Sequence, residues 1–177
     1  MTVPDLVLVL LITSAVSLDL IYRTIPNKIT VSIAATGLVL QVFFNGFGGL
    51  VAGIEGLALG IGLLFFFFMI GGIGGGDVKL LGAIGAIKGP SFVFHTFVYG
   101  AIWGGVSAVF ILLIRKQLVS QLKYLFVTIK SVALRIFSRG AIRLPVDRPP
   151  ETNLSFAYGV AIALGALTVM ICGGNLL

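Results

Sequence analysis

Long apolar runs separated by short polar breaks constrain this chain more than any other feature. A helix needs about 20 mainly apolar residues to cross a bilayer, and several runs in the sequence approach or exceed that length. Only 10% of the 177 residues are charged, whereas soluble domains carry about 25%. The sequence therefore predicts an all-α, polytopic integral membrane protein, with residues 1–177 forming a single membrane domain.

The apolar runs divide into about six predicted transmembrane helices. The fourth is short and rich in glycine, so we expect it to pack inside the bundle, where Gly82, Gly85 and Ala86 allow neighbouring helices to approach closely. Pro90 fits a sharp turn after that helix. The predicted spans cover residues 4–22, 29–45, 49–70, 77–89, 91–114 and 154–174.

Basic residues predict the orientation in the membrane. The segment 115–148 carries eight Lys and Arg residues and one acidic residue, and Arg23, Lys28 and Lys79 follow the first and third predicted spans. Basic loops lie on the cytoplasmic side. The pattern predicts a multi-pass protein of the cytoplasmic (inner) membrane with both termini outside, and Lys88 alone among the basic residues falls on the outer side.

The basic segment 115–148 also has helical periodicity. Its apolar residues recur on one face, while Lys116, Lys123 and Lys130 recur every seven residues on the other. This pattern is typical of an amphipathic helix lying in the cytoplasmic interface and held by lipid. Because the apolar face already requires lipid, we expect no nucleic-acid partner.

The scarcity of histidine and cysteine limits the available chemistry. Cys172 and His95 are the only residues of their types, which excludes a cysteine-rich zinc site and a His-Glu-x-x-His protease. We expect no metal and no cofactor.

Two aspartates at membrane depth are the strongest candidates for function, since ionisable residues are costly there. Each has a structural explanation by itself: Asp19 can pair with Arg23 one turn later, and Asp77 can cap a helix. The predicted topology, however, gives Asp19 and Asp77 the same depth near the cytoplasmic face. Two adjacent carboxylates share one proton, so one can act as a base towards water and the other as an acid.

Two other functions use the same features. A small ion- or proton-coupled transporter would use Asp19, Glu55 and Asp77 along a path through broken helices. Glu55 is predicted near the outer face, however, and no internal repeat of the spans is visible. A non-catalytic assembly subunit would leave the shared depth of the two aspartates unexplained.

Two motifs resemble those of the type IV prepilin peptidases, the GxGD membrane aspartic proteases. "GGGDVKLLGAIGAIKG" carries Gly74, Gly76 and Asp77 at the signature positions, followed by Lys79. "LDLIYRTIPNKIT" is similar to the other catalytic stretch of the family, with matches that include Asp19, Ile25, Pro26, Asn27 and Thr30. "LSFAYGVAIALGAL" is similar to the last span of the family.

The resemblance implies an aspartic endopeptidase that removes the basic leader of type IV or Flp-like prepilins, or of pseudopilins, at the cytoplasmic face. By this analogy Asp19 and Asp77 form the catalytic dyad, and Gly74, Gly75, Gly76, Pro26, Asn27 and Lys79 shape the site or bind substrate. The chain resembles the short, peptidase-only branch: it has no room for the zinc-binding insertion near the N-terminus, so methyltransferase activity is not expected. Pilus or secretion machinery would be a further partner.

Overall fold

The computed structural model describes residues 3–22, 27–70, 73–114 and 158–172, and these residues form five α-helices. The helices are α1 (Val3–Tyr22), α2 (Asn27–Met69), α3 (Gly75–Lys88), α4 (Pro90–Ile114) and α5 (Tyr158–Cys172). The predicted interfacial helix within 115–148 lies outside the described residues.

The chain divides into two compact units. The first covers residues 1–105 and 157–177, and the second covers 106–156. Only the last part of α4, residues 106–114, is described in the second unit. The candidate site and the apolar core belong to the first unit.

Helix α2 bends at Gly46, which leaves the helical conformation with φ 61° and ψ −148°. The bend separates two helical halves, 27–45 and 47–69, and glycine suits it because positive φ is unfavourable for other residues. The sequence predicts separate spans at 29–45 and 49–70. The structure confirms a break in the helix between these two predicted spans. The break involves Gly46 alone, because Gly48 and Gly49 are helical.

Helix α3 is the most enclosed element, and it packs most extensively against α2. A Cβ on Gly56 would fall against the Gly85 carbonyl, and a Cβ on Gly60 would lie 2.6 Å from the Leu81 carbonyl oxygen. The two backbones can approach this closely only because these side chains are missing. The prediction that this glycine-rich helix packs inside the bundle is thus confirmed.

The apolar core gathers residues from all five helices around α3. Leu8, Leu11 and Ile12 come from α1, and their side chains are almost fully buried. The same cluster includes Leu64, Leu80, Leu81, Ile84, Ile87, Phe92, Val93, Ile162, Ala163, Ala166 and Val169.

Two of the described helical segments are long and apolar enough to cross a membrane, Thr30–Met69 and Pro90–Ile114. Val3–Ser14 and Tyr158–Cys172 are shorter apolar segments. The protein is therefore all-helical with two long candidate spans among the described residues, and the count of six spans stays a prediction.

The turn between α3 and α4 follows the predicted chemistry. Gly89 ends α3 with φ 83°, its N–H donates to the Gly85 carbonyl at 2.8 Å, and Pro90 begins α4. A proline is well tolerated at the first position of a helix because its missing N–H needs no partner there. The predicted sharp turn is confirmed.

Candidate active site

Asp77 lies in the first turn of α3 and is half-buried. Gly74 is the N-cap residue of this helix, in an extended conformation with φ −73° and ψ 146°. The predicted start of the helix at Asp77 is two residues too late, since α3 begins at Gly75. The alternative that Asp77 is the N-cap is also wrong, because Gly74 holds that position. Asp77 is the third helical residue, and its N–H donates to the Gly74 carbonyl at 3.1 Å. A carboxylate in this turn is favoured by the positive end of the helix dipole.

The carboxyl group of Asp77 leans back towards the segment before the helix. A Cβ placed on Gly74 would lie 3.4 Å from Asp77 Oδ2, and a Cβ on Gly75 would lie 3.3 Å from the Phe68 ring. Because Gly74 has no side chain, the space beside the Asp77 carboxylate stays open. Because Gly75 has none, the Phe68 ring can lie beside it. Gly76 is the second residue of α3.

Asp19 lies near the C-terminal end of α1, one turn before the helix ends at Tyr22. Its side chain lies outside the described part, as do Pro26 and the side chain of Asn27, which begins α2. The pairing of Asp19 with Asp77, and the roles predicted for Pro26 and Asn27, stay predictions.

The two motif segments nevertheless meet at their described residues. Thr30, from the first motif, and Lys79, from the second, line one cavity of about 100 Å³. Thr30 is only 2% exposed, so the start of α2 is packed firmly against α3. The other lining residues are Val31, Ala34, Leu57, Ile61, Gly82 and Ala83.

An ion pair joins the last turn of α3, at the end away from Asp77, to the first turn of α1. Lys88, in the last turn of α3, donates to the Asp5 carboxylate in the first turn of α1. The two side chains are each 20% exposed. The sequence predicts that Lys88 and the N-terminus lie on the outer side, and the ion pair shows that Lys88 and Asp5 share one end of the bundle.

Tyr158 is a neighbour of Asp77 that the sequence did not reveal as a site residue. It is the first residue of α5, and its phenol and the Asp77 carboxylate interact electrostatically. The available signal was weak: a single tyrosine begins an otherwise apolar helix.

Glu55 and His95 lie elsewhere. Glu55 is exposed on α2 and adjoins Gly56, which packs on Gly85 near the far end of α3 from Asp77. His95 Nδ1 donates to the Ser91 carbonyl at 2.8 Å within α4.

The sequence model of the type IV leader peptidase family matches residues 6–111, more than half of the chain. The chain belongs to the type IV leader peptidase family. The matched range contains Asp19 and Asp77 together with most of α1 and all of α2 and α3. No curated protein and no solved structure gives a significant match.

Membership of the type IV leader peptidase family implies a membrane-bound aspartic peptidase whose substrates are prepilins. The match ends before α5, so the resemblance of residues 154–167 to the last span of the family remains an expectation. Tyr158 lies outside the matched range.

Proposed function

We propose that this leader peptidase cleaves the basic leader from type IV or Flp-like prepilins at the cytoplasmic face of the membrane, with Asp19 and Asp77 as its catalytic dyad. One carboxylate takes a proton from water, which attacks the scissile carbonyl carbon. The other carboxyl, still protonated, donates to the carbonyl oxygen. Collapse of the tetrahedral intermediate breaks the C–N bond, and the leaving amine takes up a proton.

The observation that carries this proposal is the ion pair between Asp5 and Lys88. Because Asp5 begins α1 and Lys88 ends α3, the two helices run away from this contact in opposite chain directions. Position 19 is 14 residues beyond position 5, which is about four helical turns. Position 77 is 11 residues before position 88, which is about three turns.

Both separations are close to whole numbers of helical turns, so each aspartate lies on the same face of its helix as the ion-pair residue. This favours a contact between the two aspartates. Positions 5 and 19 share one face of α1, about 40° apart, and positions 77 and 88 share one face of α3, about 20° apart. Along the axes the two aspartates lie about 21 Å and about 16 Å from the ion pair, a difference of about one turn. The lysine side chain is long enough to absorb much of that difference.

The arrangement of Glu55 favours the peptidase over the transporter. Gly56 packs against Gly85, which is eight residues beyond Asp77 and thus about 12 Å further along α3. Glu55 itself is exposed on the outside of the bundle. A path for ions or protons would need these carboxylates to lie in one row inside the bundle.

The surroundings of the Gly74–Gly76 segment suit an apolar substrate. The end of α2 that leads into it exposes Phe66, Met69 and Ile70. A prepilin presents a long apolar helix after its leader, and this helix can reach the site through the lipid. Peptide cleavage requires an extended, accessible bond, and we expect the glycine segment before Asp77 to admit it.

The test is leader removal in membranes, followed as a mobility shift of a co-expressed Flp-type prepilin. Wild-type protein is expected to cleave it, while Asp19→Asn and Asp77→Asn each abolish cleavage and still accumulate in the membrane. Glu55→Gln is the matched control, because it removes an exposed carboxylate far from the proposed dyad and is expected to cleave normally. Normal processing by either aspartate variant would refute the dyad.

A further inference from the structure

The cavity of about 100 Å³ between the two motif segments lies at a junction of three helical segments. Residues 30–34 come from the half of α2 before the bend, residues 57–61 come from the half after it, and residues 79–83 come from α3. The lining residues other than Thr30 and Lys79 are apolar. The cavity therefore suits an apolar group.

The burial of the lining residues shows on which side the cavity opens. Its floor is formed by Gly82 and Ala83 of α3, which are buried. Its rim includes Val31, which is 62% exposed, and Ile61, which is 36% exposed. Both rim residues belong to the long apolar candidate span Thr30–Met69, so the opening faces the lipid.

The volume of the cavity limits which apolar groups can enter it. An apolar cavity of about 150 Å³ can hold a benzene molecule, so one of about 100 Å³ has room for an aliphatic side chain but not for a large aromatic ring. The missing side chain of Gly82 maintains this room, because a Cβ placed there would lie 2.9 Å from Ile61 Cγ1. The cavity can thus select its occupant by size.

The cavity lies close to Asp77 along α3 but on the other side of that helix. Lys79 and Ala83 are two and six residues beyond Asp77, which is about 3 Å and about 9 Å along the axis. Position 79 is about 160° around the helix from position 77. A peptide joining the cavity to Asp77 therefore passes over Gly74–Gly76 at the start of α3. It crosses the helix diameter of about 10 Å, and at about 3.3 Å per extended residue the path needs about four to six residues.

We propose that this cavity is a specificity pocket for the prepilin: it takes one aliphatic side chain of the substrate, about four to six residues after the scissile bond. The inference rests on the proposed function, in which the leader lies at the cytoplasmic face and the apolar helix that follows it lies in the lipid. Insertion of the side chain fixes the position of the substrate against α2 and α3. It thereby determines which peptide bond reaches Asp77.

The test uses prepilins that differ at one position at a time. The fourth, fifth and sixth residues after the scissile bond of a purified Flp-type prepilin are changed in turn to Ala, Leu and Trp, and kcat/KM is measured in detergent. At one of these positions we expect the wild-type protein to prefer Leu over Ala by at least about 10-fold, since even one methylene group in an apolar pocket is worth about 10- to 200-fold. Trp at that position should be cleaved poorly because its ring exceeds the cavity.

Two substitutions change the size of the cavity in opposite directions. Gly82→Ala adds a methyl group against Ile61 and should shift the preference from Leu towards Ala. Ile61→Ala opens the rim and should improve the cleavage of the Trp substrate. In the double variant the preference should return towards that of the wild type, because the added methyl group occupies space that the isoleucine side chain leaves.

Each substitution has a matched control. Ile54 is 51% exposed on the same half of α2 as Ile61 but is not part of the cavity lining, so Ile54→Ala should keep the wild-type preference. Gly105→Ala adds a methyl group at a helical position where nothing lies within 4 Å, and it should also keep that preference. Melting temperatures of all variants show how much of each preparation is folded.

The outcomes separate this inference from the proposed function. If Asp77→Asn cleaves the unaltered prepilin normally, the dyad itself fails. If Asp77→Asn is inactive while Gly82→Ala and Ile61→Ala both keep the wild-type preference, the dyad stands and the pocket is overturned. A change in kcat/KM of equal size for all substrates also overturns the pocket, and it is the result expected if a lipid chain fills the cavity. A shift in preference in the two cavity variants, absent from both controls, supports it.

Discussion

Lys88 at the end of α3 and Asp5 at the beginning of α1 form an ion pair across 83 residues of sequence. The Lys88 ammonium also lies 5.7 Å from the centre of the Phe92 ring, which adds a cation–π contact. The contact fixes how far α1 and α3 are displaced along each other. It thereby connects this end of the bundle with the geometry proposed for the two aspartates.

Breaking this ion pair is expected to destabilise the protein. Lys88→Met leaves a mostly buried carboxylate without its cation, and we expect a loss of about 1–3 kcal/mol, between the values for exposed and buried pairs. Thermal unfolding in detergent measures the effect. The exchange Asp5→Lys with Lys88→Asp should recover only part of the loss, because each charge then opposes its helix dipole. An exchange less stable than Lys88→Met would show that the pair is not what stabilises this contact.

The bend in α2 provides a comparison between two nearby glycines. Gly46→Ala should lower stability by about 1–3 kcal/mol, because alanine rarely adopts the observed φ of 61° with ψ of −148°. Gly48→Ala should be neutral or stabilising by up to about 1 kcal/mol, since Gly48 is helical. A Cβ on either residue would meet nothing within 4 Å, so crowding cannot explain a difference. Equal unfolding temperatures for the two variants would contradict this account of the bend.

A hydrogen bond from α2 satisfies the buried end of α3. Gln41 Nε2 donates to the Ile87 carbonyl at 2.9 Å, and Ile87 is almost fully buried. Gln41→Leu is expected to cost about 1–3 kcal/mol, because a buried carbonyl then lacks this donor. Asn45→Ala, which removes the exposed bond from Asn45 Nδ2 to Gln41 Oε1, should cost less. Chemical unfolding of the two variants tests the order, and a larger loss for Asn45→Ala would contradict it.

The sequence predicted that α3 is enclosed in the bundle, but it did not predict which residues α3 contacts. Gly82, Gly85 and Ala86 indicated close packing because small residues on one apolar helix have few other uses, and α3 is indeed buried. The start of that helix was misplaced because aspartate and glycine are both favourable caps, and the extended backbone of Gly74 decides between them.

The sequence did not predict which residues pair across long sequence separations. The topology assigned Asp5 and Lys88 to one face, but nothing in the local pattern paired them. The electrostatic interaction between Tyr158 of α5 and Asp77 of α3 likewise has no signal in the local sequence pattern. Motifs indicated which residues carry the chemistry, whereas the order of helix packing determines which residues surround them.

Substitution in the glycine segment before Asp77 is expected to affect activity more than stability. Gly74 has φ −73°, which alanine adopts readily, so Gly74→Ala should preserve the resting structure. We expect stability to change by less than about 1 kcal/mol, because the gain through the unfolded state is opposed by the poorer preference of alanine for an N-cap position. Prepilin cleavage should fall, because the substitution restricts the segment proposed to admit the peptide and adds a methyl group beside Asp77 Oδ2.

The control for this substitution is Gly62→Ala, at a helical position with nothing within 4 Å of the added methyl group. It should stabilise the protein by about 0.5–1 kcal/mol, while prepilin cleavage stays at the wild-type rate. Unfolding temperature and cleavage rate are measured on the same preparations. A slower rate in both variants would mean that the loss is not specific to the segment before Asp77, and a wild-type rate for Gly74→Ala would eliminate the entry role of the glycine segment. A slower rate in Gly74→Ala alone requires a cause at the site itself, where the new methyl group lies beside Asp77 Oδ2.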